Sequence, residues 1–322
     1  TDLKPDVFHK LMDHKSQELN AWVIEQIQPC VESIGGSFLQ KLKDYLFISD
    51  YSFFEKRILK AAHYLATNWE FKIIHHLNKG FFGLEQTNQS IANEVEEFYD
   101  LAGVQKFVLG KKTRNFMDLV GQLRFQQRWA QSPRVPETSV LGHMLIVAIL
   151  CYLFSVEIKA GTKRIYNNFF AGLFHDLPEV LTRDIVSPVK RSVEGLEELI
   201  KEIEKEQFAE RIMPLLPRQW HKEVLYFLED EFQSKTVVDG HLLICSSEQI
   251  STEYDSDEFN PLDGEVVRIC DQLAAYIEAS MSIIYGIKAP DLIKGKNQIY
   301  AINADTQICG ISFKGYFDYY LS

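Results

Sequence analysis

Apolar residues recur at three-, four- and five-residue steps along most of this chain. In the stretch SFFEKRILKAAHYLATNWEFKIIHHL (52–77), Phe53, Ile58, Ala61, Leu65, Trp69 and Ile73 follow that spacing, which lays one apolar stripe along an amphipathic helix. Strictly alternating runs are scarce, so the pattern predicts an all-α fold with strands at most incidental. CVESIGGSFLQ and HLNKGFFGLEQ carry glycine turn signals, and AQSPRVPETS (130–139) carries two prolines followed by Thr138 or Ser139 as a helix cap. The segment MLIVAILCYLFSVEI is apolar nearly all round but is broken at Glu157, short of the ~18–20 residues of a membrane span; it predicts a buried, central helix. Around 110–125 the character changes, dividing an N-terminal helical region (1–118) from a bundle (119–290) and a C-terminal tail (291–322) that packs on it. The acidic, polar stretch SSEQISTEYDSDEFNPLDGE (246–265) predicts a surface loop between helices.

Composition narrows the function classes. A chain of 322 residues, 46% hydrophobic and 25% charged, has ample material for a core and the length of about two domains. Its formal charge of -11 excludes general binding to a nucleic-acid polymer, which needs a basic face to displace counterions. The five cysteines, Cys30, Cys151, Cys245, Cys270 and Cys309, are dispersed and form no CxxC pair, which fits reduced thiols rather than a disulfide framework. TDLKPDVFHK carries no signal-peptide hydrophobic core. The expectation is a cytoplasmic protein without a membrane partner.

Three places put polar groups where the pattern asks for apolar ones. His143 stands inside the most apolar helix. Asp271 lies beside the stripe Val266, Cys270, Leu273, Ile277, Met281 and Ile284 of GEVVRICDQLAAYIEASMSII. In FHDLPE, His175 and Asp176 are adjacent; on a regular helix neighbouring side chains diverge by about 100° and cannot grip one ion. A helix end relaxes that limit. Leu177 precedes Pro178 and is pushed out of helical geometry, so the helix should finish near His175 or Asp176, with Pro178 opening a new turn that contains Glu179. Two imidazoles and two carboxylates on three helices would make a mixed N/O site for a divalent cation, and an ion offsets the cost of burying the carboxylates. Singly, each residue has an ordinary reading: a satisfied core histidine, a helix-terminal His-Asp cap, an ion pair between Asp271 and Arg268, a first-turn glutamate.

The ordered set His143, His175-Asp176, Asp271, with RW (128–129), HDLPEVLTRDIVSPVK (175–190) and ICDQLAAYIEA (269–279) in the same order, resembles the HD superfamily of metal-dependent phosphohydrolases. The likeness is closest to the bacterial HD-domain 5′-deoxynucleotidases and covers about 120–285. It departs at Gly142, where that branch often has an acidic residue. The resemblance implies an HD-domain helical bundle with an additional N-terminal helical region. It further implies one divalent metal ion (Mn, Co, Fe, Ni, Zn or Mg) on His143, His175, Asp176 and Asp271, with Glu179 as the general acid or base. Arg128, Trp129, Asp184 and Lys190 are then substrate-binding, and the substrate is a small phosphomonoester such as a nucleoside 5′-monophosphate. A non-catalytic regulatory HD-like protein, a two-metal phosphodiesterase using His221 or His241, and a homo-oligomeric state stay open.

Other motifs carry less. His75 and His76 face different sides of a helix. LGKKTR lacks the glycine spacing of a phosphate-binding loop, and DSDEFNPLDGE lacks the glycine at the sixth position of a calcium loop.

Overall fold

The computed structural model describes residues 5–78, 80–182 and 193–320. It divides into two compact units, Thr1–Val108 and Leu109–Ser322. The first contains α1 (Pro5–Val31), α2 (Phe38–Phe47), α3 (Phe53–Leu77), α4 (Leu84–Glu96) and α5 (Ala102–Val108). Its buried core is small, built from Ala61, Val95, Phe98 and Val104, and large apolar side chains such as Phe53, Phe54, Leu59 and Leu77 stand exposed. His75 does not pair with His76 on an ion; its Nε2 lies 2.8 Å from Glu85 Oε1.

The second unit runs through α6 (Lys112–Gly121), α7 (Val140–Glu157), α8 (Thr162–Phe174), α9 (Glu179–Thr182), α10 (Leu196–Gln207), α11 (His221–Leu228), α12 (Gly264–Ile284), α13 (Pro290–Asn303) and α14 (Lys314–Asp318). The described strands are two antiparallel pairs: β1 (Lys235–Val238) with β2 (His241–Ile244), and β3 (Gln307–Ile308) with β4 (Ile311–Ser312). The fold is all-α, as the spacing predicts.

α7, α8 and α12 form the centre, and their apolar faces meet in a core of Val147, Cys151, Ala171, Val267, Cys270, Leu273 and Tyr276. The C-terminal residues Ala304, Ile308, Phe313 and Phe317 close the same core. α7 and α8 approach closely because Gly172 has no Cβ: one built there would lie 2.9 Å from Cys151 Sγ and 3.2 Å from Ala148 Cα. Ser139 caps α7, its Oγ accepting from Gly142 N at 3.0 Å. Gly142 therefore sits in the first turn of α7, beside its cap.

Two expectations need correcting. α7 does not fall short of a membrane span as expected: at 18 residues it is long and apolar enough to cross one by length and composition alone, and it is not buried all round. Its His143 and Val147 face is fully buried while Leu145, Ile146 and Ile149 are exposed. Ile284, placed in the α12 stripe, is likewise exposed at the helix end.

The acidic stretch 246–265 is also not a loose surface loop. It winds through short helical turns, Ser247–Gln249, Ile250–Tyr254 and Asp257–Phe259, because a cation lies beneath it. Arg164 of α8, fully buried, ion-pairs with Asp263 and donates to Ser251 Oγ at 2.7 Å and to Asp255 Oδ2 at 3.2 Å. Asp263 is in turn the N-cap of α12, accepting from Val266 N at 3.2 Å. The pair thus ties α8 to the start of α12. Removing one partner strands the other charge in the interior, so Arg164→Met should lower the free energy of unfolding by about 3–5 kcal/mol in urea titrations. A loss under about 1 kcal/mol would show that Asp263 is solvated by other means.

Candidate metal centre

The helix through Thr162–Phe174 ends at His175, and α9 starts at Glu179, as the Leu177-Pro178 step predicts. That break lets His175 and Asp176 turn to the same point. His143 comes from one turn inside α7 and Asp271 from the middle of α12. Asp176 Oδ2 lies 3.2 Å from His175 Nε2 and 3.9 Å from His143 Nε2, and Asp271 Oδ1 lies 3.0 Å from His143 Nε2 and 3.8 Å from His175 Nε2. Donor atoms of His143, His175 and Asp176 thus converge on one point, with Asp271 Oδ1 beside the two imidazoles. Arg268, the alternative ion-pair partner for Asp271, is exposed.

Hydrogen bonds at the far side of each ring set the tautomers. His175 Nδ1 lies 2.8 Å from Gly172 O, an acceptor only, so Nδ1 carries the proton and Nε2 faces the cluster. His143 Nδ1 lies 2.9 Å from Glu278 Oε1, with the same result. His175 Nε2 and Asp176 Oδ2 are buried with no hydrogen bond of acceptable geometry. Buried polar atoms are ordinarily satisfied, and two orphaned ones facing each other are what a cation held between them would satisfy. An imidazole and carboxylate donor set of this kind suits a divalent transition metal, and His143, His175 and Asp176 meet the spacing for one ion.

Electrostatics agree with the geometry. Burial opposes charge on both histidines, and Arg128 adds to that opposition at His143. Asp176 and Asp271 outweigh it at His175, and hydrogen bonds to Asp271 and Glu278 outweigh it at His143, so both rings hold a proton above the usual histidine range. Burial likewise pushes the two carboxyls up, but the imidazoles hold Asp271 well below the ordinary carboxylate range and lower Asp176 too, with Arg128 helping at Asp176. A divalent cation competing for those carboxylates displaces imidazole protons, so its binding strengthens as pH rises.

Around this core, Arg128 Nη1 lies 3.6 Å from Asp176 Oδ2. Glu179 is buried, one turn past Asp176. Trp129 is half-buried, and its Nε1 donates to Glu278 Oε2 at 3.2 Å, so the indole edge faces Glu278 rather than standing free as a platform. His221 does not join the cluster: its Nε2 lies 3.2 Å from Leu216 O. His241 is exposed on β2. Asp184 and Lys190 lie outside the described residues.

The sequence reading missed two residues of this neighbourhood. Glu278 sits seven residues, two helical turns, after Asp271 on the same face of α12, and that spacing was the available signal. Arg134 carried none; between Pro133 and Pro136 it reads as surface loop, yet it is buried and pairs with Glu278 at 3.2 Å.

Residues 120–300 match the HD domain family. A 5′-deoxynucleotidase of Pasteurella multocida (strain Pm70) is 26% identical over 164 residues, spanning 46% of this chain and 80% of its own. An HD-domain phosphohydrolase structure from Listeria innocua aligns at a TM-score of 0.45 with 16% identity, covering 65% of this chain and 85% of its own. The cyanophage S-2L HD phosphohydrolase, solved with dA and one catalytic Zn2+ ion, aligns at 0.40 with 15% identity, covering 63% of this chain and 94% of its own. Since the family match takes in more than half of the chain and all of the convergent donors, the chain belongs to the HD domain family of metal-dependent phosphohydrolases.

Proposed function

We propose that the protein hydrolyses small phosphomonoesters, with a nucleoside 5′-monophosphate as the substrate class, using one divalent metal ion held by His143, His175, Asp176 and Asp271. The observation that carries this reading is the meeting of His143, His175 and Asp176 at the spacing for one ion, with Asp271 Oδ1 3.0 and 3.8 Å from the two imidazoles and the guanidinium of Arg128 beside Asp176. A divalent ion there would supply Lewis acidity and an activated water. Arg128 offers a planar fork for phosphate oxygens. Glu179, buried one turn from Asp176, holds or returns the proton exchanged with the leaving oxygen. A polar pocket of about 370 Å³, lined by residues that include Gln127, Arg128, Gln131 and Arg134, adjoins the site and falls in the size range of small-ligand clefts. The net charge of -11 favours a mononucleotide over a polymer, and the similarity to a 5′-deoxynucleotidase points the same way. His221 engaged on a backbone carbonyl argues for one metal over a two-metal diesterase.

The test is a screen of the purified protein, loaded in turn with Mn2+, Co2+ and Zn2+, against nucleoside monophosphates, sugar phosphates and cyclic or linear dinucleotides. Phosphate release from monoesters with one bound equivalent of metal is expected. Stoichiometric metal binding with no phosphate released from any ester would instead make this a binding protein; turnover of dinucleotides with two equivalents would make it a diesterase.

A further inference from the structure

Glu278 is the most connected side chain near the metal centre that the proposed chemistry leaves without a role. It is 4% exposed, and its two oxygens face different partners. Oε1 lies 2.9 Å from His143 Nδ1. Oε2 accepts from Trp129 Nε1 and from Arg134 Nη1, both at 3.2 Å. One helix, α12, therefore addresses both nitrogens of the His143 ring, Asp271 at Nε2 and Glu278 at Nδ1.

The second oxygen reaches the segment that presents Arg128. Arg134, drawn onto Glu278, bonds back to Pro136 O at 2.9 Å and to Thr138 Oγ1 at 2.8 Å. Arg128 N in turn donates to Thr138 O at 2.9 Å, so the loop is closed around the arginine. Between these anchors Trp129 adopts φ 57°, a left-handed conformation that is an outlier for a bulky residue and persists only where its surroundings hold it. Three contacts bear on it: Glu278 on the indole nitrogen, Ser132 N donating to Trp129 O at 2.8 Å, and Gly295 of α13 under the ring. A Cβ at Gly295 would lie 2.7 Å from Trp129 Cη2.

We infer that Glu278 is a positioning residue with two separable roles. Its Oε1 fixes His143 as an Nε2 metal ligand, and its Oε2 holds Trp129 in its left-handed turn so that the adjacent Arg128 faces the phosphate site. Carboxylates behind metal-ligating histidines raise ligand basicity and orient the ring. Here the same carboxylate also reaches the phosphate-binding side of the pocket. The inference rests on the metal and phosphate sites proposed above.

The experiment uses the full chain and the variants Glu278→Gln and Trp129→Phe, with Zn2+ affinity measured by chelator competition and inorganic phosphate affinity by calorimetry on the metal-loaded protein. Glu278→Gln should weaken Zn2+ binding about 10- to 100-fold. Trp129→Phe, which removes the indole N–H from Oε2 and the ring atoms that lie against Gly295 but leaves Oε1 on His143, should leave Zn2+ affinity at the wild-type value while weakening phosphate binding about tenfold. Wild-type metal affinity in Glu278→Gln overturns the role of Oε1. Equal loss of metal affinity in both variants, or unchanged phosphate affinity in Trp129→Phe, overturns the separation. Should Glu278→Gln fail to fold, histidine 15N shifts of the wild-type Zn2+ complex decide whether Oε1 sets the ligand atom. A protonated Nδ1 on His143 is expected, and an Nδ1 bound to metal refutes it. A wild type that binds Zn2+ but cleaves no ester would sink the hydrolase reading alone, since none of these measurements needs turnover.

Discussion

Asp176→Ala should strip the protein of its metal and reduce phosphate release at least about 10³-fold, since a metal supplies several kcal/mol to the transition state and each 1.36 kcal/mol is a factor of ten. The size of the effect follows from what Asp176 touches. Its Oδ2 is within 3.2 Å of one imidazole, 3.9 Å of the other and 3.6 Å of Arg128. Removing the carboxylate takes one anionic ligand from the ion and also removes the negative charge 3.6 Å from the Arg128 guanidinium. Metal content by mass spectrometry after dialysis and phosphate release on the same sample check both parts. Full metal retention in Asp176→Ala would mean that the proposed ligand set is wrong.

Glu179→Gln should separate binding from chemistry. The amide keeps the shape of the side chain but cannot exchange a proton, so kcat is expected to fall about 10²- to 10⁴-fold, the usual worth of a general acid or base, with metal content intact. Burial makes the glutamate suitable: on α9, directly after Pro178, it is 7% exposed and so shielded from bulk water. A kcat within about twofold of wild type would remove Glu179 from the proton-transfer step and leave it as a first-turn residue of α9.

The parts of the site that were legible in the sequence are those encoded by local chemistry. A pre-proline leucine is biased out of helical geometry by its immediate neighbour, so the corner at His175-Asp176 can be read from a few letters. His143 and Asp271 are legible because polar groups interrupt apolar stripes. What was not legible depends on partners distant along the chain. The stretch 246–265 looks like solvated loop until Arg164, far earlier in the chain, is brought beneath it. Glu278 looks like any helical glutamate until His143, Trp129 and Arg134 arrive from three other positions. In α7, composition alone predicts burial on all sides, and the exposed Leu145 and Ile149 show that an apolar run does not fix how many neighbours a helix has.

The contact of Trp129 with Gly295 carries a consequence for the C-terminal end of the chain. α13 lies beyond every proposed metal ligand, yet it supplies the flat surface against which the indole rests. A chain cut after Lys288 would keep the four proposed ligands and Glu179 in its sequence while losing that surface and the C-terminal residues that close the core. Bulk at one small position, as in Gly295→Val, acts on the same spot, because the nearest ring atom is 2.7 Å from where the new carbon must go. Substitution at Gly295 of α13 therefore reaches the turn beside Arg128 without touching any of the proposed metal ligands.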